Sequence, residues 1–527
     1  MKSSGISKSA LAALLIWTST GELRAADRPI RLEEALRLAL AHDEAIVIQR
    51  EALAAADAAV SGAAGAYDPR LEVEAGWRES NPPVNSSFSG APAGRLAPTT
   101  ESSEGSVTLE QLLPTGATLG LRALGNRATT DGRFEPLSPA YGTQLGVELR
   151  QPLLRNRAID PARLGIRVAA SDRAGASAEL ERQLAATVAE VERAYWTLVA
   201  ARREVEVRTE AVRLAEEQLS ETEARIETGS APETEVAQPR AELERRRGEL
   251  FASREAATRA ESSLKLLVLG DDEPERWAER LVPEEGLDVE TRPVDLGAAM
   301  ARALAERPEL ARSAAAVERR RVESALARDA VRPALDAVVS YDRYGLAGDA
   351  NPAAESLGGP AELPAELRGG LGDSADLLRD GEFDDTRVAL VFSLPLGNRA
   401  ARAGAAIAGS AERQAEADLA RLRKSIRAEV IDAGAALDTA GQRIEAARSA
   451  RAAAEVQLEA ERLRYGSGLS TNFLVLTRQN DLSRARLDEI AAQTDYRRAA
   501  TELARVTGNL LAERGVEVDP GREPMAR

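Results

Sequence analysis

Nearly the same sequence is written twice along this chain. Residues 32–77 align without a gap on residues 296–341, at a constant offset of about 264 positions. Ala39-Leu40-Ala41 falls on Ala303-Leu304-Ala305, Pro69 on Pro333 and Leu71 on Leu335. Gln151-Pro152-Leu153 falls on Leu394-Pro395-Leu396, and Arg225-Ile226 with Gly229 on Arg464-Tyr465 with Gly468. A unit of more than 200 residues is too long for a solenoid repeat. It is a duplicated half, and any fold must serve both copies. The spacing divides the chain into a first repeat over 30–270, a linker over 271–293, a second repeat over 294–512 and a polar tail over 513–527.

Each half reads as helix, strands, very long helix, turn and helix. Residues 32–66 are Ala-rich and free of internal proline until Pro69, which predicts one helix. Leu71, Val73, Ala75 and Trp77 alternate with polar residues or Gly76, the period of a strand with one polar face. Thr143, Leu145, Val147 and Leu149 do the same before Pro152. Further strands are expected over 335–344 and 386–394, with the Gly/Pro/Asp-rich stretch 346–385 as a loop between them. The first half has an addition, because 107–112 and 118–124 flank Pro114-Thr115-Gly116 as a hairpin. That hairpin either joins the sheet or lies outside it.

The long helices are the strongest physical signal. Leu184, Val191, Leu198, Val205, Val212, Leu219 and Ile226 recur every seven residues, as do Val430, Leu437, Ile444, Leu458 and Tyr465, with Arg451 as the one interruption. Such spacing predicts a coiled-coil seam. Helices over 162–228 and 400–466 would each span roughly 100 Å at about 1.5 Å per residue. In each half the two shorter helices, 32–66 with 232–269 and 296–330 with 471–512, together match the long one. Stacked end to end, they would line it from end to end.

Composition and chemistry exclude several classes. The formal charge of −16 argues against a nucleic-acid surface. There is no cysteine, hence no disulfide and no lipid-modified N-terminal Cys, and the single His42 leaves no imidazole cluster. No GxSxG, HExxH, CxxC or GxxxxGK sequence supports hydrolysis, zinc or nucleotide binding, so no catalytic residue, cofactor or metal is expected. The acidic group Asp373, Asp376, Asp380, Glu382, Asp384 and Asp385 lacks calcium-loop spacing and reads as a solvated loop. Lys2 and Lys8 precede the short apolar run 10–17, which predicts an export signal over 1–25. No later segment is apolar for long enough to cross a bilayer as a helix. Four to six strands cannot close a membrane barrel alone, so strands that enter a membrane must be pooled among copies.

Over residues 32–511 the chain resembles the TolC-type outer-membrane efflux channel family. The motifs are Leu32-x-x-Ala35 with Ala39-Leu40, Tyr67-x-Pro69, Gln151-Pro152-Leu153-Leu154, Ser393-Leu394-Pro395-Leu396-Gly397-Asn398-Arg399 and Arg464-Tyr465-x-x-Gly468. The resemblance implies a mainly α fold with a β-barrel portion: a homotrimer with an α-helical coiled-coil tunnel and a shared outer-membrane barrel of four strands per chain. It implies a periplasmic adaptor and an inner-membrane pump of RND or ABC type as partners, outer-membrane lipid around the barrel, and passive export as the function. It also implies a gate at the helix–turn–helix tips, where Tyr465 matches a tip tyrosine and Thr234 and Glu235 its polar partners. Gly229, Ser230, Gly468 and Leu469 fall at the turns that dock the adaptor. Where well-known members carry a gating Arg and two pore-lining aspartates, this chain has Ser470, Leu474 and Thr477. Export of proteins, a periplasmic adaptor, or a poreless coiled-coil protein are the competing readings. An adaptor would carry one hairpin rather than two, and a poreless coiled coil has no need of duplicated strand pairs.

Overall fold

The structure, a computed structural model, describes residues 27–85, 90–92, 94–230, 232–270, 274–355 and 363–516. The expected export signal lies outside them. The first half contains β1 (Asp27–Ile30), α1 (Leu32–His42), α2 (Glu44–Ala64), β2 (Arg70–Ser80), β3 (Thr100–Leu112), β4 (Thr118–Thr130), β5 (Leu137–Pro152), α3 (Pro161–Glu227) and α4 (Ala237–Val268). A connector with α5 (Pro274–Trp277) and β6 (Arg280–Pro283) leads to the second half. There follow α6 (Leu296–Glu306), α7 (Pro308–Asp329), β7 (Ala334–Ala350), α8 (Leu371–Asp380), β8 (Phe383–Ser393), α9 (Arg399–Gly466), α10 (Asn472–Val506) and α11 (Leu510–Glu513).

The long helices form as their heptads require. α3 has 67 residues and α9 has 68, each roughly 100 Å at about 1.5 Å per residue. Asp160 starts α3 by accepting the Arg163 N–H at 2.8 Å, with Pro161 in the first turn, where a missing N–H costs nothing. Leu184, Val191, Leu198, Val430, Leu437, Ile444 and Leu458 are all buried. Val212 and Ala215 meet Leu243 and Leu250 of α4, while Ala454 and Leu458 meet Leu482 and Ala485 of α10. Arg451, the interruption, is met in the seam by Glu489 of α10, seven residues after Leu482, with Nε to Oε2 at 2.7 Å. The short helices do stack end to end along the long ones, α2 and α4 on α3, α7 and α10 on α9.

Four sequence expectations need correction. The helix expected over 32–66 breaks at Asp43, whose carboxylate accepts the Ala45 N–H at 2.7 Å and caps α2. Its counterpart breaks at Arg307, ahead of Pro308, because the residue before proline is pushed out of helical geometry. The stretch 271–293, expected as a linker, carries β6, which pairs in parallel with β1, Asp27 opposite Arg280. The tail expected from 513 begins as packed structure: Val516 is buried, and Arg514 reaches the fully buried Glu192 of α3, Nη2 to Oε2 at 3.1 Å. Thr501 of α10 also donates its hydroxyl to Glu192, which therefore joins both repeats to the C-terminal segment.

The sheet differs from expectation in the same concrete way. Six strands form one antiparallel sheet in the order β2-β3-β4-β5-β7-β8. The additional hairpin β3–β4 is therefore inserted in the sheet, which among the described residues has six strands where the resemblance implied four. The stretch 346–385 is no simple loop either, because β7 runs to Ala350 and α8 lies within it. A Cβ built on Gly345 would fall 1.9 Å from the Ser374 carbonyl oxygen of α8, so only glycine lets this helix lie on β7.

Candidate functional site

Period two turns the sheet into two opposed surfaces. One face carries Leu71 and Val73 of β2, Val107 and Leu109 of β3, Leu119 and Leu121 of β4, and Leu145, Val147 and Leu149 of β5. It continues through Ala337 and Val339 of β7 to Val388, Leu390 and Phe392 of β8. The opposite face carries Glu72, Glu74, Thr108, Arg122, Glu148, Ser340 and Arg387. Val388 and Leu390 are 76% and 70% exposed, so among the described residues nothing covers the belt on β8. An unbroken apolar belt opposite a polar face is the surface a barrel presents to hydrocarbon and to a water-filled lumen. α8 lies on the belt side of β5 and β7 near the end remote from the helices, with Thr143 Oγ1 2.9 Å from Ser374 Oγ.

The belt is slanted. The hydrogen-bond register leads from Val73 through Val107, Ala123, Leu145 and Arg343 to Asp384. The apolar centre of β8 is Leu390, six residues from Asp384 toward the helical end. Six residues over five strand steps is roughly 4 Å of drift per 4.8 Å of spacing, a strand tilt of about 40° if the belt is level. Barrel strands tilt by about 35–45°. The slant and barrel geometry agree.

The two helical tips lie about 100 Å from the sheet, the length of α3. Both end in the same way. Gly229 and Gly468 have φ of 71° and 75°, the left-handed geometry expected for glycine. The Ser230 N–H donates to Arg225 O and the Leu469 N–H to Arg464 O, each at 2.8 Å. Ser230 and Leu469 are exposed, as are Thr234 and Glu235 on the short 3-10 turn Glu233–Val236. Tyr465 is buried, and its ring lies beneath the Arg225 guanidinium at 4.7 Å. The structure thus joins the tips of the two repeats through Arg225 and Tyr465; within the chain Tyr465 makes no hydrogen bond to Glu235. Ser470 donates to Glu461, Leu474 is exposed, and the Thr477 hydroxyl bonds back to Phe473 O at 2.8 Å.

Sequence reasoning missed the polar ties between the two hairpins. Arg246 is almost fully buried, donates to Glu242 at 2.8 Å and reaches Asn480 of α10 at 3.2 Å. Asn480 donates to Glu242 at 3.2 Å, closing the cluster. Its signal was available: Arg246 stands three after Leu243 and four before Leu250, a seam position. Burial raises the Glu242 pKa, but hydrogen bonds from Arg245 and Arg246 outweigh it and hold the carboxyl below its ordinary value. A depressed folded-state pKa stabilises above the unfolded value of about 4.3, and that contribution disappears as pH falls through the folded value. Lowering pH from 6 toward 3 is therefore expected to reduce the thermal midpoint less in Glu242→Gln than in the parent, starting from a lower value at pH 6. Parallel melts of the two proteins in detergent check this, and identical pH dependence would remove Glu242 from the account.

Comparison with known proteins bears out the resemblance read from the motifs in the second repeat. Residues 299–509 match the family model described as outer membrane efflux protein. The first repeat, with the added strand pair, lies outside that match. No curated protein sequence matches the chain significantly. Among solved structures, the Campylobacter jejuni CmeC outer membrane channel is similar at 15% identity and TM-score 0.61, over 91% of this chain and 86% of that one. The outer membrane protein VceC of Vibrio cholerae is similar at 17% identity and TM-score 0.62, over 90% and 96%. The open state of the Neisseria gonorrhoeae MtrE outer membrane channel is similar at 15% and 0.59, over 91% and 89%. The fold is that of outer-membrane channels, and the matched family consists of transport channels rather than enzymes.

Proposed function

We propose that the chain is the outer-membrane channel of a tripartite export system. Three copies pool their sheets into one barrel in the bacterial outer membrane, and their helices form a conduit through the periplasm. The tips meet a periplasmic adaptor, through which an inner-membrane pump of RND or ABC type delivers cargo, and conduction through the channel itself is passive. The observation that carries this reading is the slanted apolar belt across six strands, joined to helices about 100 Å long. A poreless coiled-coil protein has no use for such a belt.

The reading places the constriction at the tips, where Leu474 is exposed and Glu235 is available to a neighbouring copy. A hydroxyl-to-carboxylate bond from Tyr465 is worth about 1.5–3 kcal/mol when shielded and less in water. Tyr465→Phe keeps the ring beneath Arg225 and removes only that donor. The expected result is a modest rise in single-channel conductance, and a larger one when Leu474→Ser is added. Planar-bilayer recordings with unchanged conductance in the double variant would move the constriction elsewhere. Failure of the parent protein to conduct or to float with outer membrane would reject the channel.

A further inference from the structure

We infer that the assembled outlet is an eighteen-strand barrel, half again as many strands as the four per chain of the family pattern would give. The inference rests on the trimeric reading above, but it is carried by this chain's own sheet. β3 and β4 are full members of that sheet. β3 pairs with β2 from Arg70↔Glu110 to Ser80↔Thr100, and β4 with β5 from Thr118↔Arg150 to Ala128↔Ala140. The belt crosses both through Val107, Leu109, Leu119 and Leu121, and Thr108 and Arg122 continue the polar face. A hairpin outside the barrel would have no reason to keep the two faces in phase.

The occupant of each open edge is a second copy of this chain. Among the described residues neither β2 nor β8 has a strand on its outer side. β2 runs away from the helices and β8 runs toward them, so an edge-to-edge contact between copies is antiparallel, like every other pair in the sheet. The slant fixes its register. Continuing the belt past β8 brings Val73 of the next copy beside the segment Val388 to Phe392, with both on the apolar face. Pairing there covers the open edges and leaves no backbone group unsatisfied in lipid.

With strands about 4.8 Å apart and a tilt of about 40°, eighteen strands enclose a backbone diameter of roughly 36 Å, against roughly 24 Å for twelve. Barrels of 16–18 strands leave an aqueous channel. The outlet is therefore wider in cross-section by about twofold, and its polar lining suits bulky hydrated cargo. The outer barrel then adds little selection of its own, and size discrimination falls to the tips.

The chain has no cysteine, so introduced pairs report cleanly. The full-length protein carrying Val73→Cys with Leu390→Cys, and the neighbouring choices Val388→Cys and Phe392→Cys, is oxidised in native outer membranes. One of the three seam pairs is expected to give covalent species up to the trimer. Val73→Cys with Val107→Cys is expected to close within one chain. Val73→Cys with Leu145→Cys, three strands apart at roughly 14 Å, is expected to stay open. Electron cryomicroscopy of the parent protein is expected to show eighteen strands. Closure of the Val73–Leu145 pair with twelve strands in the image would overturn the inference while leaving the trimer standing. Absence of every seam cross-link, with monomers in the image, would reject the trimeric reading itself.

Discussion

Val147→Arg is expected to keep the protein out of the membrane, whereas Glu148→Arg, one residue along the same strand, is tolerated. Val147 lies mid-belt in β5, between Leu121 of β4 and Tyr341 of β7. An arginine facing lipid near the bilayer midplane costs about 2–4 kcal/mol in a barrel. In the trimer proposed above that cost recurs three times within one assembly, so the expected loss of membrane-assembled protein is severe. Glu148 pairs with Gly120 and Ser340 on the opposite face, where water remains available. The check is the fraction of each variant recovered as an outer-membrane trimer resistant to detergent. Equal recovery of the two would show that the belt does not face lipid.

Arg514→Ala is the second large effect, and it lies in the helical body. Glu192 is fully inaccessible and is held by Arg514 and Thr501. Removing the arginine leaves a buried carboxylate with one hydroxyl donor. Breaking a buried pair by deleting one partner costs about 3–5 kcal/mol, and the partial exposure of Arg514 brings the expected value to the lower end, about 3 kcal/mol. Adding Glu192→Gln removes the orphaned charge and is expected to restore part of the loss. Denaturant titration of both variants checks the difference. A double variant as unstable as the sum of the singles would mean that the two residues act independently.

Heptads and period-two strands were legible because each is a repeating local pattern enforced by burial or by the belt. Leu184 to Leu198 and Val430 to Leu458 needed nothing but their spacing. Gly229 and Gly468 were legible because a positive φ nearly demands glycine. The partners across space were not. β1 and β6 are four residues each and too short to show a period. The outer half of β3, Thr100 to Ser106, is held by backbone pairing with few apolar side chains, so it left no period-two trace. α8 was hidden in a Gly- and Pro-rich stretch, and its resting place depends on Gly345 in another element. At the tips, Tyr465 was legible as a seam residue, but Arg225 above it was not, since a cation over a ring leaves no periodic trace. The sequence left the hairpin's place open, and only the register resolved it.

The most direct measurement of the central claim is an accessibility scan along β5. Single cysteines at positions 143–150 of the otherwise cysteine-free chain carry a nitroxide label, and the protein is reconstituted in lipid vesicles. Collision rates are then measured with oxygen, which partitions into lipid, and with a water-soluble nickel chelate. The account predicts strict alternation, with Leu145, Val147 and Leu149 open to oxygen and Gln144, Gly146, Glu148 and Arg150 open to nickel. Nickel access at every position would make the sheet an aqueous domain beside the helices, and the chain no channel.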